Sequence, residues 1–197
     1  MRGNAGAMGG EISDVVDMAS VYQDGEVVEL THEEIGFAYR HSALKDDGGI
    51  VLSVSLVLKR GESLEGRRVM IEHLKYRSST QPQGWASTGC IFKNVECRVE
   101  NVQGQRNRKL LLNHVDEANE KVQQFFKVGK ISAGWLVEQA GTKGARVGQA
   151  QVSERHGNFI VNLGAATAGD VLFLIEKCKH EVYTSFGIEL EEEIQII

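Results

Sequence analysis

From Thr167 to Gly187 the chain specifies one helix that has to be buried along one side. Val171, Leu174, Ile175, Cys178, Val182 and Phe186 recur at spacings of three and four. Thr167-x-x-Asp170 has capping-box form, and Gly187 stands where a left-handed cap belongs. A stripe of this kind needs a second layer to cover it. Weaker helical patterns run from Leu64 to Ser78, with Leu64, Val69, Met70 and Leu74, and from Lys109 to Phe126, with Leu111, Val115, Ala118, Val122 and Phe125. A third spans Ser132 to Gln139, with Gly141 placed to end it.

Strand patterns supply the other layer. Asp24-Gly25 between alternating runs predicts a hairpin, and Ile50–Leu58 is the strongest single strand. Thr31-x-x-Glu34 predicts a short capped helical turn ahead of Ile35 and Phe37. Cys90-Ile91-Phe92, Gly148–Ser153, Asn158–Asn162 and the alternating tail Ile188–Ile197 read as further strands. The order shows no regular βαβ period and no internal repeat, so the expected class is α+β. A shift in composition at Lys59-Arg60-Gly61 divides the chain into residues 1–62 and 63–197, the second with an inserted helical segment at about 96–128.

Charge narrows the function classes. Lys and Arg number 22 against 27 Asp and Glu, a net charge of −5, which argues against binding nucleic acid or an anionic membrane. No apolar run approaches the ~20 residues of a membrane span, and a soluble, cytoplasmic protein is expected. Cys90, Cys97 and Cys178 form neither CxxC nor Cys/His spacing, so neither a disulfide framework nor a metal site is expected. P-loop, HExxH and nucleophile-elbow motifs are missing.

Three places carry chemistry. The opening MRGNAGAMGG is dense in small residues, which let a backbone pass close to a ligand. Tyr39-Arg40-His41-Ser42 includes a guanidinium suited to phosphate or to a developing enolate. Cys90 follows Gly89 at the start of a predicted strand, with Lys93 and Asn94 close by; alternation sends Cys90 and Phe92 to one face. In the tail, Glu191 and Glu193 point the same way.

Seven collinear segments, NAGAMGGEISDV, FAYRHS, GGIVLS, RSSTQP, STGCIFKN, SAGWLVEQAGTKGARVGQAQVSERHGNFIVN and GIELEEEIQII, resemble the UDP-N-acetylenolpyruvoylglucosamine reductase (UDP-N-acetylmuramate dehydrogenase, MurB) family. They cover most of the chain outside about residues 96–128. The resemblance implies the remainder of a PCMH-type FAD-binding domain followed by a mixed α+β substrate-binding domain. It implies an oxidoreductase of peptidoglycan biosynthesis, in which NADPH reduces FAD and the flavin reduces UDP-N-acetylglucosamine enolpyruvate to UDP-N-acetylmuramate.

By the same resemblance Arg40 stabilises the enolate, Cys90 takes the place of the proton donor and Glu193 assists it. Arg77, Gln81, Asn94 and His156 line the substrate pocket. Asn4, Ala5, Gly6, Ala7, Gly9 and Ile50 approach the flavin. Three departures stand out. The family's Gly-rich FAD-binding segment ahead of the NAGA motif is absent, so weak or no FAD binding by this chain alone is expected. Gln195 replaces an arginine of the terminal motif. Residues 97–128 are an insertion whose helix caps the substrate domain or meets a partner. The short span from Ser42 to Arg77 points to the subtype without a substrate-covering loop. The alternative is a non-catalytic UDP-sugar-binding or assembly domain that has lost the flavin site.

Overall fold

The computed structural model describes residues 1–196 and divides them into two compact units, Met1–Lys75 and the residues from Tyr76 onward.

In the first unit, β1 (Gly6–Ala7) and β2 (Gly10–Glu11) form a minimal antiparallel ladder. The main sheet has the order β4-β3-β5, from β3 (Val16–Gln23), β4 (Glu26–Thr31) and β5 (Ile50–Leu56), all antiparallel. Asp24 and Gly25 turn the β3–β4 hairpin with φ of 53° and 91°, the paired left-handed geometry that matches strand twist. Thr31 caps α1 (His32–Ile35) through a complete capping box with Glu34. Together with α2 (Ala43–Asp47), α1 supplies Ile35 and Leu44 to a core shared with Val16, Ala19 and Val21.

The helix α3 (Ser63–Thr80) runs through the division between the units and has no buried residue. At 100° per residue Leu64, Val69, Met70, Ile71, Leu74 and Tyr76 scatter around its axis, so the apolar stripe expected there does not form, and all six are exposed.

The second unit is built on a four-stranded antiparallel sheet of order β6-β11-β10-β9. Its strands are β6 (Ala86–Cys90), β9 (Arg146–Val147), β10 (Ala150–Val152) and β11 (Phe159–Asn162). A separate pair, β7 (Val95–Glu96) with β8 (Lys130–Ile131), clips together the ends of the segment between them. That segment holds α4 (Val102–Leu112) and α5 (Glu120–Val128), where one helix from Lys109 to Phe126 is expected. Asn113 ends α4 and the Asn119 side chain caps α5, so polar caps break the apolar period at its centre. Leu111, Val122 and Phe125 still join the main core.

The expected helix at Ser132 is α6 (Ala133–Gln139), with the Ser132 hydroxyl accepting the Trp135 amide. The long helix is α7 (Ala168–Phe186), with the Thr167–Asp170 capping box and a left-handed Gly187. Leu174, Ile175, Cys178, Val182 and Phe186 are its buried stripe. Thr167→Ala removes the acceptor for the Asp170 amide, and thermal unfolding should show a loss of about 1 kcal/mol.

Two strand expectations are corrected. The strand near Cys90 ends at that residue instead of starting there, and Ile91 and Phe92 are both buried rather than alternating. The tail forms no strand within its described residues. Phe92 and Glu192 make a single bridge, and Ile197 lies outside the described residues.

Candidate active site residues in each unit

In the first unit the small-residue loop is held by its own polar groups. Asn4 is buried, and its Nδ2 donates to Glu11 Oε2 (2.8 Å) and to the Ala38 carbonyl (3.1 Å). Its Oδ1 accepts the Ser13 amide at 3.0 Å. Arg40 Nη1 and Nη2 donate to the carbonyls of Asn4 (3.3 Å) and Gly6 (3.2 Å), and Glu11 lies 3.7 Å from the guanidinium. A Cβ on Gly6 would stand 2.9 Å from Arg40 Nη1, so glycine is required for this approach.

Asn4, Met8 and Arg40 adopt left-handed φ of 40°, 52° and 54°, at a cost of order 1 kcal/mol or more each. Such conformations persist where surrounding structure enforces them, commonly at binding sites. Gly6, Ala7, Met8, Gly9, Gly10, Glu11, Asp14 and Arg40 line a cleft of about 490 Å³. The space that a Gly6 Cβ would take is filled by Arg40 and Glu11 of the same unit, so a flavin held here would lie in the cleft beside them. Arg40 is the one cation of that lining, with Glu11 and Asp14 on the same rim, so the cleft does not favour a diphosphate. Ile50, opposite Tyr22 at the start of β5, is exposed.

In the second unit the main chain after Cys90 leaves the sheet. Gly89, with φ of 87°, precedes Cys90, which stands opposite Phe159. Buried Asn158 then takes over as pairing partner. Its carbonyl accepts the Ile91 amide at 2.9 Å, its Oδ1 accepts the Phe92 amide at 2.8 Å, and its Nδ2 donates to the Phe92 carbonyl at 2.8 Å. From the other side the tail seats on the same residues. The Glu193 amide donates to the Ile91 carbonyl (2.7 Å), and the Lys93 amide donates to the Glu191 carbonyl (2.9 Å). Lys93 also pairs with the Glu191 carboxylate.

Lys179 of α7 holds the tail through Glu192 at 2.9 Å. Burial opposes the charge on Glu192, but donation from Lys179 and from the backbone leaves its carboxyl below the usual range. Cys90 and Glu193, far apart in sequence, are thereby brought to one short stretch of backbone.

Asn94 lies just beyond, its Oδ1 accepting the Ala133 amide at the start of α6 (3.1 Å). Arg77 Nε donates to Gln81 Oε1 (3.3 Å) at the end of α3. The His156 ring packs edge-on against Phe159, and its Nδ1 accepts the Asn158 amide at 3.1 Å. A Cβ on Gly134 would reach His156 Cε1 at 2.8 Å. The other cysteines are buried thiols. Burial pushes Cys97 up to about 11, and it also raises Cys178. Among the described residues no three His, Cys, Asp or Glu gather as metal ligands, and no helix is long and apolar enough to cross a membrane. The sequence reading missed Asn158 and Lys179; an asparagine directly before a buried strand is the signal that marks the first.

Burial holds the His156 imidazole below its ordinary value of 6.5, with Glu138 pulling weakly the other way. The unfolded chain therefore takes up a proton near that pH that the folded chain refuses. Stability from this group is full above about pH 7 and falls as pH drops through 6.5 toward the lowered folded value. Melting temperatures between pH 7.5 and 5.5 should fall less steeply for His156→Gln than for the unaltered protein.

A family model for the UDP-N-acetylenolpyruvoylglucosamine reductase C-terminal domain matches residues 81–197. UDP-N-acetylenolpyruvoylglucosamine reductase 2 of Symbiobacterium thermophilum is 39% identical over 194 residues, covering 98% of this chain and 52% of the relative. The reductase of Heliobacterium modesticaldum is 37% identical over 195 residues with the same coverage. The crystal structure of UDP-N-acetylenolpyruvylglucosamine reductase from Thermus caldophilus matches with a TM-score of 0.72 and 36% identity, covering 98% of this chain and 57% of that one. The likeness defines an oxidoreductase family of α+β fold. The chain belongs to the UDP-N-acetylenolpyruvoylglucosamine reductase family and spans about half the length of the curated relatives it matches.

Proposed function

We propose that the protein serves the reduction of UDP-N-acetylglucosamine enolpyruvate to UDP-N-acetylmuramate in peptidoglycan synthesis, with FAD as cofactor, NADPH as reductant and the cytoplasm as its place of action. The observation that carries this reading is the seating of the Glu193 amide on the Ile91 carbonyl, next to Cys90, which sets two residues that the family resemblance pairs near each other along the backbone.

The Asn4–Gly9 loop would hold a flavin, and that group would supply the hydride for addition to one carbon of the enol ether. Charge then develops on the adjacent carbon and its carboxylate. A guanidinium such as that of Arg40 stabilises that charge. The Cys90 Sγ–H donates the proton that completes the lactyl group, and Glu193 orients the donor. Arg77, Gln81, Asn94 and His156 bind the substrate. A second reading, a UDP-sugar-binding or assembly domain without turnover, draws on Arg40, whose Nη atoms already serve the loop carbonyls of Asn4 and Gly6.

The test is NADPH oxidation dependent on the enolpyruvyl sugar nucleotide, with FAD titrated in. Turnover that saturates with FAD is the expected result, at the high concentrations a weak flavin site requires. UDP-sugar binding without turnover at any FAD concentration selects the binding domain and overturns the reductase reading.

A further inference from the structure

The main sheet of the first unit has two outer strands, and their edges differ. β4 carries Glu26 and Glu29, charges of the kind that keep an edge from pairing with another chain. β5, at the other edge, has no such guard. It and the two residues after it, residues 50–58, hold neither a charge nor a proline. Ile50, Leu52, Leu56, Val57 and Leu58 are 48–71% exposed. Among the described residues no strand pairs with the outer side of β5.

These nine residues read almost the same in both directions. About Val54, Ser53 mirrors Ser55, Leu52 mirrors Leu56, Val51 mirrors Val57 and Ile50 mirrors Leu58. The ladder with β3 is regular over residues 53–55 and shifts on each side of them, so Val54 centres an undistorted segment. Two identical antiparallel strands related by a two-fold axis set residue i opposite j and j opposite i. With Val54 on the axis, every position meets its like. The flanking charges complete the match. Asp46 and Asp47 precede the strand, Lys59 and Arg60 follow it, and all four are exposed. In that register Lys59 stands opposite Gly49 of the second copy and Arg60 opposite its Gly48, beside the acidic pair. Asp46 also lies 3.3 Å from the His41 ring of its own chain.

We infer that β5 pairs with β5 of a second copy of this chain, antiparallel about Val54, joining two three-stranded sheets into one of six strands. The contact is at the small end of the interface range, so dimer and monomer exchange. The inference is independent of the proposed function.

Sedimentation equilibrium of the 197-residue protein at about 100 μM should give twice the mass of one chain, falling toward one on dilution. Leu52 and Leu56 oppose each other twice in this register. Leu52→Lys with Leu56→Lys sets like charges together and should weaken the dimer at least about tenfold. Leu52→Lys with Leu56→Glu sets opposite charges together and should dimerise at least about tenfold more tightly than the two-lysine variant. Both sites are exposed, and circular dichroism checks that the fold is kept. Lys59→Glu with Arg60→Glu should weaken the dimer about threefold or more at low salt and little at high salt. A monomer at every concentration overturns the inference. A dimer that the two-lysine variant leaves unchanged places the contact elsewhere and overturns it too. Equal weakening by the two Leu52/Leu56 variants overturns the Val54 register.

Discussion

With FAD and NADPH saturating, Cys90→Ala should turn over the enolpyruvyl sugar nucleotide about 100-fold more slowly, because positioned proton donors contribute factors of this size. Reduction of the flavin by NADPH precedes the need for that proton and should proceed at an unchanged rate. Stopped-flow absorbance separates the two half-reactions. Cys90→Ser restores a donor of the same reach and should recover much of the loss. Equal slowing of both half-reactions in Cys90→Ala would show that the thiol holds the local fold and does not deliver a proton. Ala86–Cys90 ends in a half-buried thiol whose neighbours Ile91 and Phe92 carry the packing, so removing Sγ leaves the core intact.

Gly104→Ala is the substitution with the largest expected effect on stability. A Cβ there would lie 2.1 Å from the Arg98 carbonyl oxygen and 2.7 Å from the Arg98 nitrogen, both main chain. Neither can swing aside, so the first turn of α4 has to move off the Glu96–Asn101 stretch. That movement breaks the Asn107 Nδ2 bond to the Glu96 carbonyl (2.9 Å) and the Gln105 Nε2 bond to the Val99 carbonyl (2.6 Å). A cost of about 3 kcal/mol is expected, a fall in Tm of about 6–12 °C. Gly66→Ala makes the matching control. A Cβ at Gly66 in α3 meets nothing within 4 Å, and alanine is the better helix former, so a gain of about 0.5–1 kcal/mol is expected. A neutral Gly104→Ala would mean that α4 packs less closely on the Glu96–Asn101 stretch than the structure has it.

Elements whose signals are local can be read directly from the residues. Thr167, Asp170 and Gly187 bound α7 because caps act within one turn, and the Asp24-Gly25 hairpin follows from backbone preferences at two residues. The α+β class follows from the order of such elements. Arg40, Cys90 and the Glu191/Glu193 pair stand out by residue chemistry, but their roles and the other candidate residues come only through resemblance to a family, since a lone arginine, thiol or glutamate has no local pattern that assigns it a task.

Packing between distant segments sets the remaining features. Asn113 and Asn119 split an apolar period that reads as one helix; the break leaves more main-chain ends to satisfy, which the Asn119 cap offsets in part while Leu111 and Val122 reach the core from separate helices. The tail alternates like a strand yet makes a single bridge. Its partner, the chain after Cys90, is already bonded to Asn158, and Lys179 holds Glu192 from a helix. The nearness of Glu193 to Cys90 and the open edge of β5 depend on which distant segments pair and which leave a surface uncovered. Periodicity in a sequence reports that a residue needs burial or a partner; only the packed chain says which one it receives.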